Sequence, residues 1–454
     1  MAKTESPSSG TLFESYSRAA ADCSVITSDL YTKYEVKRGL RDISGKGVLA
    51  GLTEISEIVG YIMQDDDLVP CEGKLYYRGI DIESIVAGLE KSNYFGFEEI
   101  CFLLLVGHLP DRAEYDTFRE LLASYRSLPA QFLRDTIMTS PSRDMMNSIA
   151  SSVLSLYAYD DQADDTSLPN VMRQSIQLLG QFPTLMVHSF HSYAYNYYNK
   201  SLVIHSPVPE YSTAQNILHM LRPDSSFTEL ESHILDQALI LHAEHGGGNN
   251  STFTTHVVTS SGTDTYSSIA ASLCSLKGPK HGGASIKVIQ MFDDMKKNVS
   301  DWTDDDEIRN YVLRLLNKDA FDRSGLIYGI GHAVYSLSDP RAVILKKSAG
   351  KLASEKNADR EFDLYEKVER IAPEVIREHR QMYKGVSVNV DFFSGFVYRL
   401  LCLPEELYTP LFASARLAGW SAHRIEELSN GGKIIRPAYK SVSGQHDYIP
   451  MENR

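Results

Sequence analysis

The stretch TELESHILDQALILHAEHGGGNN, residues 228–250, contains a whole helix with its punctuation. Thr228 and Glu231 form a T-x-x-E capping box, in which each side chain satisfies a backbone N–H that the helix start leaves unpaired. Leu230, Ile234, Leu235, Ala238 and Leu241 then share one face at the helical period, and the three glycines at 246–248 stop the helix. The same period recurs outward from this stretch. FEEICFLLLVG at 97–107 is an apolar helix stopped by Gly107 and Pro110, and further helical patterns cover 264–276, 284–297, 304–317, 340–355, 360–383, 391–402 and 405–428. Ser338 with Pro340 reads as an N-cap with proline in the first turn. Short β-like runs, YEVKRG, GVLAGLT and KLYYRG, are confined to 34–79, and the acidic DDQADD at 160–165 reads as a solvated loop. The Ser-rich residues up to about 30, weakly amphipathic around 13–21, read as an arm that orders on a partner. The chain is mainly α, without internal repeats or heptad runs.

A length of 454 residues predicts two or three domains, and 43% hydrophobic with 23% charged residues is a soluble globular composition. The net charge of −14 argues against a nucleic-acid surface, which needs clustered Lys and Arg, but leaves room for anionic small molecules held by a few cations. The longest apolar stretches, such as 100–106, fall far short of the roughly 20 residues of a membrane helix. Five scattered cysteines with no CxxC exclude a disulfide framework and a thiolate zinc site. The first residues carry acids and lack the apolar core of a signal peptide, so a cytoplasmic protein is expected.

In an all-α chain, polar glycine-rich interruptions are where chemistry is placed, because helix ends leave N–H groups free and glycine permits close approach. Four stand out: LHAEHGGGNNST at 241–252, KGPKHGGAS at 277–285, LIYGIGHAVYSLSDPRA at 326–342 and NVDFFSG at 389–395. Singly, each has an ordinary reading. His242 and His245 are three apart on a helix end, but HExxH and a third carboxylate ligand are missing, so no metal site is expected. GIGHAV lacks the third glycine and the preceding strand of a dinucleotide fingerprint. His281 alone reads as a loop histidine, and Asp391 alone as the N-cap of the apolar helix behind it.

Together, and in this order, the segments resemble the citrate synthase family. GPKHGGA at 278–284 matches its G-P-x-H-G-x-A pattern, and GIGHAV with DPR at 339–341 matches G-x-G-H-x-V followed by D-P-R. Residues 389–395 match N-V-D-x-x-S-G, and HGGGNNS at 245–251 resembles the segment that contacts oxaloacetate. ASARLAGW at 413–420 and KIIRPAY at 433–439 resemble the two C-terminal arginine segments, and LYYRGIDI at 75–82 resembles the R-G segment of the large domain.

The resemblance implies a homodimeric, mainly α fold of two domains with a few short N-terminal β strands. An arm at 1–33 precedes a discontinuous large domain at 34–281 and 397–454, with a small domain at 282–396. It implies a Claisen-type condensation of acetyl-CoA with oxaloacetate to citryl-CoA, then hydrolysis to citrate and CoA. Asp391 is then the base, His281 the neutral donor to the enol oxygen, and His332 the group polarising the oxaloacetate ketone. His245, Arg341 and Arg416 bind oxaloacetate from one subunit, and Arg436 reaches in from the other. The loop with Ile327, Gly329 and Gly331 receives the CoA adenine, and Lys384 lies where CoA phosphates are held, whereas the motifs do not fix the register of Arg41 in GLRD. No permanently bound cofactor or metal is implied, since the CoA thioester is a co-substrate.

Ser336 departs from the pattern, standing where a basic residue commonly follows the second histidine, which weakens a CoA-phosphate contact. Ser285 and Ile286 replace a frequent Asn and Glu, and the first 70 residues do not match the extension of NADH-inhibited members. Two other readings stay open. One is 2-methylcitrate synthase, the same chemistry on propionyl-CoA. The other is a non-catalytic interaction protein, which predicts loss of at least one of His281, His332 and Asp391, and all three are present.

Overall fold

The computed structural model describes residues 9–41, 47–65, 67–331, 334–380 and 385–454. They form two compact units, Met1–Leu52 and Thr53–Arg454. The first holds the helices Ser9–Ser24 and Ser28–Lys33, a 3-10 turn at Arg38–Leu40 and an isolated bridge between Arg41 and Gly47. YEVKRG and GVLAGLT are therefore not strands. Gly39 and Leu40 both take positive φ (62° and 55°), which turns the backbone out of any extended run.

In the second unit a three-stranded antiparallel ribbon comprises β1 (Ser56–Gln64), β2 (Asp67–Tyr77) and β3 (Ile80–Asp81). Of the three expected runs only KLYYRG contributes, at the end of β2. β1 escaped the reading because Gly60 breaks its alternation, and the ladder shifts register there, between Val59 and Tyr61.

The helices follow the sequence pattern closely. Thr265–Leu276, Ala284–Asn298, Asp305–Leu316, Pro340–Glu355, Asp359–Arg380, Val390–Leu400 and Tyr408–Ser429 match the expected segments to within a few residues. The capping box at Thr228 and Glu231 forms as expected. Two expectations are corrected. The cap of Pro340–Glu355 is Asp339, whose carboxylate accepts the Arg341 N–H, and Ser338 instead reaches back to the β2 backbone. The acidic run is not simply a solvated loop, because Asp160 takes a bidentate contact from Arg173 with further bonds from Gln174 and Tyr266. These donors outweigh burial and hold its carboxyl down at about 2.

Two long helices organise the core, Leu168–Tyr198 and Tyr408–Ser429, which pack on each other. Tyr408–Ser429 also packs on Phe97–Val106, Glu229–His242, Asn250–Thr259 and Thr265–Leu276. Gly419 lets it lie against the turn that ends Glu229–His242: a Cβ there would lie 2.6 Å from the Ala243 carbonyl, so a larger residue pushes that turn away. The helices Ala284–Asn298, Asp305–Leu316, Pro340–Glu355, Asp359–Arg380 and Val390–Leu400 pack largely among themselves. No described helix is long and apolar enough to cross a membrane.

Candidate active site

Arg416 and Arg424 lie on the same helix, and both are fully buried. Arg424 is fully employed, donating to Thr265 Oγ1, Thr259 Oγ1 and the Thr263 carbonyl at 3.2, 3.1 and 2.7 Å. Arg416 donates only through Nε, to the His242 carbonyl at 2.7 Å. Its two terminal nitrogens are buried without a partner among the described residues. Burial lowers its pKa to about 10, partly offset by Glu244, so it stays charged at neutral pH. A buried guanidinium with two idle donors is a receptor for an anion, because such groups otherwise cost several kcal/mol unpaired.

Asp391 lies in the field of this cation. The cap of Val390–Leu400 is Asn389, not Asp391: Asn389 Oδ1 accepts the Asp391 N–H at 3.0 Å and leaves the Asp391 carboxylate uncommitted in the first helical turn. Asn389 is itself fixed by the glycine loop, its N–H donating to the Gly329 carbonyl (2.9 Å) and its side-chain amide to the Gly331 carbonyl (3.0 Å). Gly331 N–H in turn donates to the Ser387 carbonyl at 2.7 Å. Gly329 takes φ of 80°, and a Cβ there would strike Phe392, so the loop can lie against this helix only as glycine. Burial raises the Asp391 pKa to about 6 against the charges of Arg341 and Arg416, with Asp339 adding to the rise. Arg341 is spanned by Asp339 (3.0 and 2.7 Å), and Asp339 also accepts the Val390 N–H at 3.2 Å.

His281 sits between the helices that follow and precede it. Its Nε2 lies 3.3 Å from the Ser251 N–H and 3.0 Å from Ser251 Oγ. A backbone N–H can only donate, so Nε2 accepts and the ring proton is assigned to Nδ1. Ser251 Oγ is held by Asn249 Oδ1 and Trp420 Nε1 (2.9 and 3.2 Å). Burial, with the Arg416 charge adding, lowers the His281 pKa to about 4. The ring is a neutral donor at pH 7.

His245 is buried with its ring 5.6 Å from that of Tyr335. Its turn is fixed from both sides. The Tyr77 hydroxyl of β2 is within 3.0 and 3.1 Å of the Ile240 and Glu244 carbonyls. Glu244, fully buried, pairs with His423 at 3.1 Å and accepts from Ser56 at 3.0 Å.

The structure thus brings Asp391, His281, Arg341 and Arg416 into one electrostatic neighbourhood, with Asp339, Ser251 and Trp420 holding them. It also adds His242, which the sequence reading weighed only as a metal ligand. Both its ring nitrogens are buried without a described partner beside Phe412, and burial with the two arginine charges holds it well below the usual histidine range. Ile327 is buried in the glycine loop. Arg436 is exposed on the segment after Tyr408–Ser429 and does not join this group within the chain. Arg41 belongs to the first compact unit. His332 and Lys384 lie outside the described residues.

The family profile described as Citrate synthase, C-terminal domain, matches residues 41–438. A citrate synthase from Synechocystis sp. is 34% identical over 419 residues, 90% of this chain and 92% of the relative. A 2-methylcitrate synthase from Shewanella oneidensis is 31% identical over 386 residues, 84% of this chain and 92% of the relative. Among solved structures, the ternary complex of carboxymethyl coenzyme A and oxaloacetate with citrate synthase from the thermophilic archaeon Thermoplasma acidophilum gives a TM-score of 0.75 at 27% identity. It covers 92% of this chain and 99% of that one. With nearly the whole chain matched in sequence and in fold, the protein belongs to the citrate synthase family.

Proposed function

We propose that this chain is a citrate synthase, condensing acetyl-CoA with oxaloacetate and hydrolysing citryl-CoA to citrate and CoA. One observation carries the reading: the two unpartnered terminal nitrogens of buried Arg416 in the same field as a carboxyl with a pKa of about 6 and a neutral histidine. A dicarboxylate supplies the anion those donors lack.

In the proposed sequence the Asp391 carboxylate removes a proton from the acetyl methyl group while His281 Nδ1–H donates to the thioester oxygen, so the enol forms without a free enolate. His332, given this role by its motif, hydrogen-bonds the ketone oxygen of oxaloacetate. The enol carbon bonds to that carbonyl carbon to give citryl-CoA. Water then adds to the thioester, the C–S bond breaks, and CoA leaves as the thiol. The oxaloacetate dianion on Arg416 and Arg341 offsets the two charges that hold the Asp391 pKa down, so the base strengthens when the electrophile is in place. Ile327, Gly329, Gly331 and Lys384 are assigned to CoA, and Arg436 to the partner subunit's site. The small domain is assigned to 282–396, and the packing of its five helices among themselves supports that division. His281 and Asp391 then stand at the two crossings between domains, where closure completes the site.

The second reading, 2-methylcitrate synthase, has the support of relatives with that name at comparable identity. The two differ by pocket room for one methyl group, worth about 1–3 kcal/mol. Free-thiol release from acetyl-CoA and propionyl-CoA, each with and without oxaloacetate, separates them. Faster oxaloacetate-dependent release from acetyl-CoA is expected. A preference for propionyl-CoA moves the assignment to the second reading, and no release from either removes the catalytic proposal.

A further inference from the structure

One cluster of titratable side chains takes no part in the condensation. Where Asn250–Thr259 packs on Tyr408–Ser429, His256 Nε2 faces His423 Nδ1 at 3.1 Å, and Glu426 Oε2 lies 3.7 Å from that same Nδ1. The three donor atoms all lie within 4.8 Å of one another. Ligands about 2.0–2.1 Å from a tetrahedral ion stand roughly 3.3 Å apart, and the two separations at His423 Nδ1, 3.1 and 3.7 Å, bracket that value.

The surroundings are those of a metal site as well. Each imidazole has its other nitrogen on a carboxylate: His256 Nδ1 on Glu427 (2.8 Å) and His423 Nε2 on Glu244 (3.1 Å). Such carboxylate–imidazole pairs orient metal-binding histidines and raise their basicity. Glu426 Oε2 is buried with no hydrogen-bond partner among the described residues, on a side chain 11% exposed. Three carboxylates, Glu244, Glu426 and Glu427, face two imidazoles that share one nitrogen–nitrogen contact. Two guanidiniums lie nearby: Arg78, committed to the Leu104 carbonyl at 3.2 and 2.8 Å, and Arg416, whose charge reaches Glu244. With both imidazoles neutral, as ligation requires, the three carboxylates exceed the two guanidiniums by one charge, which favours a dication.

We propose that His256, His423 and Glu426 bind one divalent ion of the zinc and cobalt class, with its fourth position open to solvent. Access is from the side of His256 and Glu427, which are 14% and 18% exposed. His256 lies 167 and 170 positions before the other two ligands, so only the His423–Glu426 pair, three apart on one helix, is visible as a local spacing.

The test is titration of the full-length protein with Co2+, followed by its visible d–d absorption. An intense tetrahedral band that saturates at one ion per chain and is displaced by Zn2+ is expected. His256→Gln and Glu426→Gln should each weaken binding at least about tenfold, whereas His108→Gln, at an exposed histidine elsewhere, should leave it unchanged. A weak octahedral spectrum, no saturable band, or binding that survives both substitutions overturns the site. The wild-type spectrum decides by itself if a variant fails to fold.

Discussion

Arg416 and Arg424 carry the same side chain on the same helix at the same burial, and they differ only in what their nitrogens meet. That difference predicts opposite phenotypes. Arg416→Met removes a buried charge with idle donors, so stability should hold or rise, while kcat/KM for oxaloacetate falls at least about a hundredfold through loss of charged hydrogen bonds. Arg424→Met removes three hydrogen bonds and strands the Thr263 carbonyl, and should lower unfolding stability by at least about 2 kcal/mol with little direct effect on turnover of the folded enzyme. Urea denaturation and steady-state kinetics on both variants check the pair, and equal stability losses would contradict the assignment. Asp391 gives the pH signature. Its folded pKa of about 6 lies above the unfolded value of about 3.9, so the folded state holds the proton more tightly. Its contribution to stability therefore falls as pH rises from about 4 to about 6 and stays low above. In the proposed mechanism, turnover rises over the upper part of that range as the carboxylate forms. Asp391→Asn should abolish turnover yet unfold on the order of 2 kcal/mol later than wild type at pH 8, the gain vanishing near pH 4. His281 runs the other way: a folded pKa of about 4, below an unfolded value near 6.5, makes its contribution full above pH 6.5 and lost as pH falls toward 4. A stability gain for Asp391→Asn that does not change with pH would remove the raised carboxyl from the explanation.

At the scale of elements, the ribbon's place is set by what it holds. The Tyr61 hydroxyl meets Ser336 Oγ at 2.6 Å, the Gly73 N–H donates to Ser338 Oγ at 3.1 Å, Glu72 also contacts Ser338, and the Tyr335 hydroxyl donates to the Lys74 carbonyl at 3.3 Å. Residues 335–338, just beyond the second histidine motif, are thereby clamped, and Tyr335 faces His245. Ser336, the departure from the family pattern, is one of the clamp's partners. A Cβ on Gly73 would lie 2.2 Å from the Ser338 carbonyl. Gly73→Ala should therefore displace the clamp and raise KM for oxaloacetate about tenfold or more, while Gly88→Ala, whose Cβ meets nothing, should leave kinetics unchanged. Equal kinetics for both variants would leave the ribbon a structural role alone. This is also where the sequence was least legible. Helices announce themselves locally, through the Thr228–Glu231 box or the apolar run before Gly107, because their bonds close within four residues. β1 does not, because Gly60 sits at a register shift and its partners lie across the ribbon and in the 334–338 segment. The capping roles of Asp339 and Asn389 were missed in favour of Ser338 and Asp391, because adjacent polar residues compete for one cap and geometry chooses between them.

For the whole molecule, the site's parts divide by how far apart they are in sequence. Asp391, His281 and Arg416 could be read from short motifs, whereas His242 and the holding roles of Ser251, Trp420 and Asp339 depend on packing between distant helices that no local pattern encodes. Arg436 is a third kind. Its motif is legible and its side chain is exposed, away from the group its own chain assembles. If it completes the site of a second copy, the two defects Asp391→Asn and Arg436→Gln on separate chains fall in the same site of a mixed dimer. One site then carries both substitutions and the other carries neither. Each variant alone should be inactive or severely impaired. Co-expressed in equal amounts with random pairing, half of the dimers are mixed and half of their sites are intact, so about a quarter of wild-type activity should return. The paired variants Asp391→Asn and Arg416→Met, both within one site of one chain, should not complement. In a mixed dimer each site then keeps one defect. Recovery with Arg436→Gln but not with Arg416→Met places Arg436 across a two-fold interface. Failure of both pairings, in dimers shown by differential tags to be mixed, would put Arg436 in its own chain's site or outside catalysis altogether.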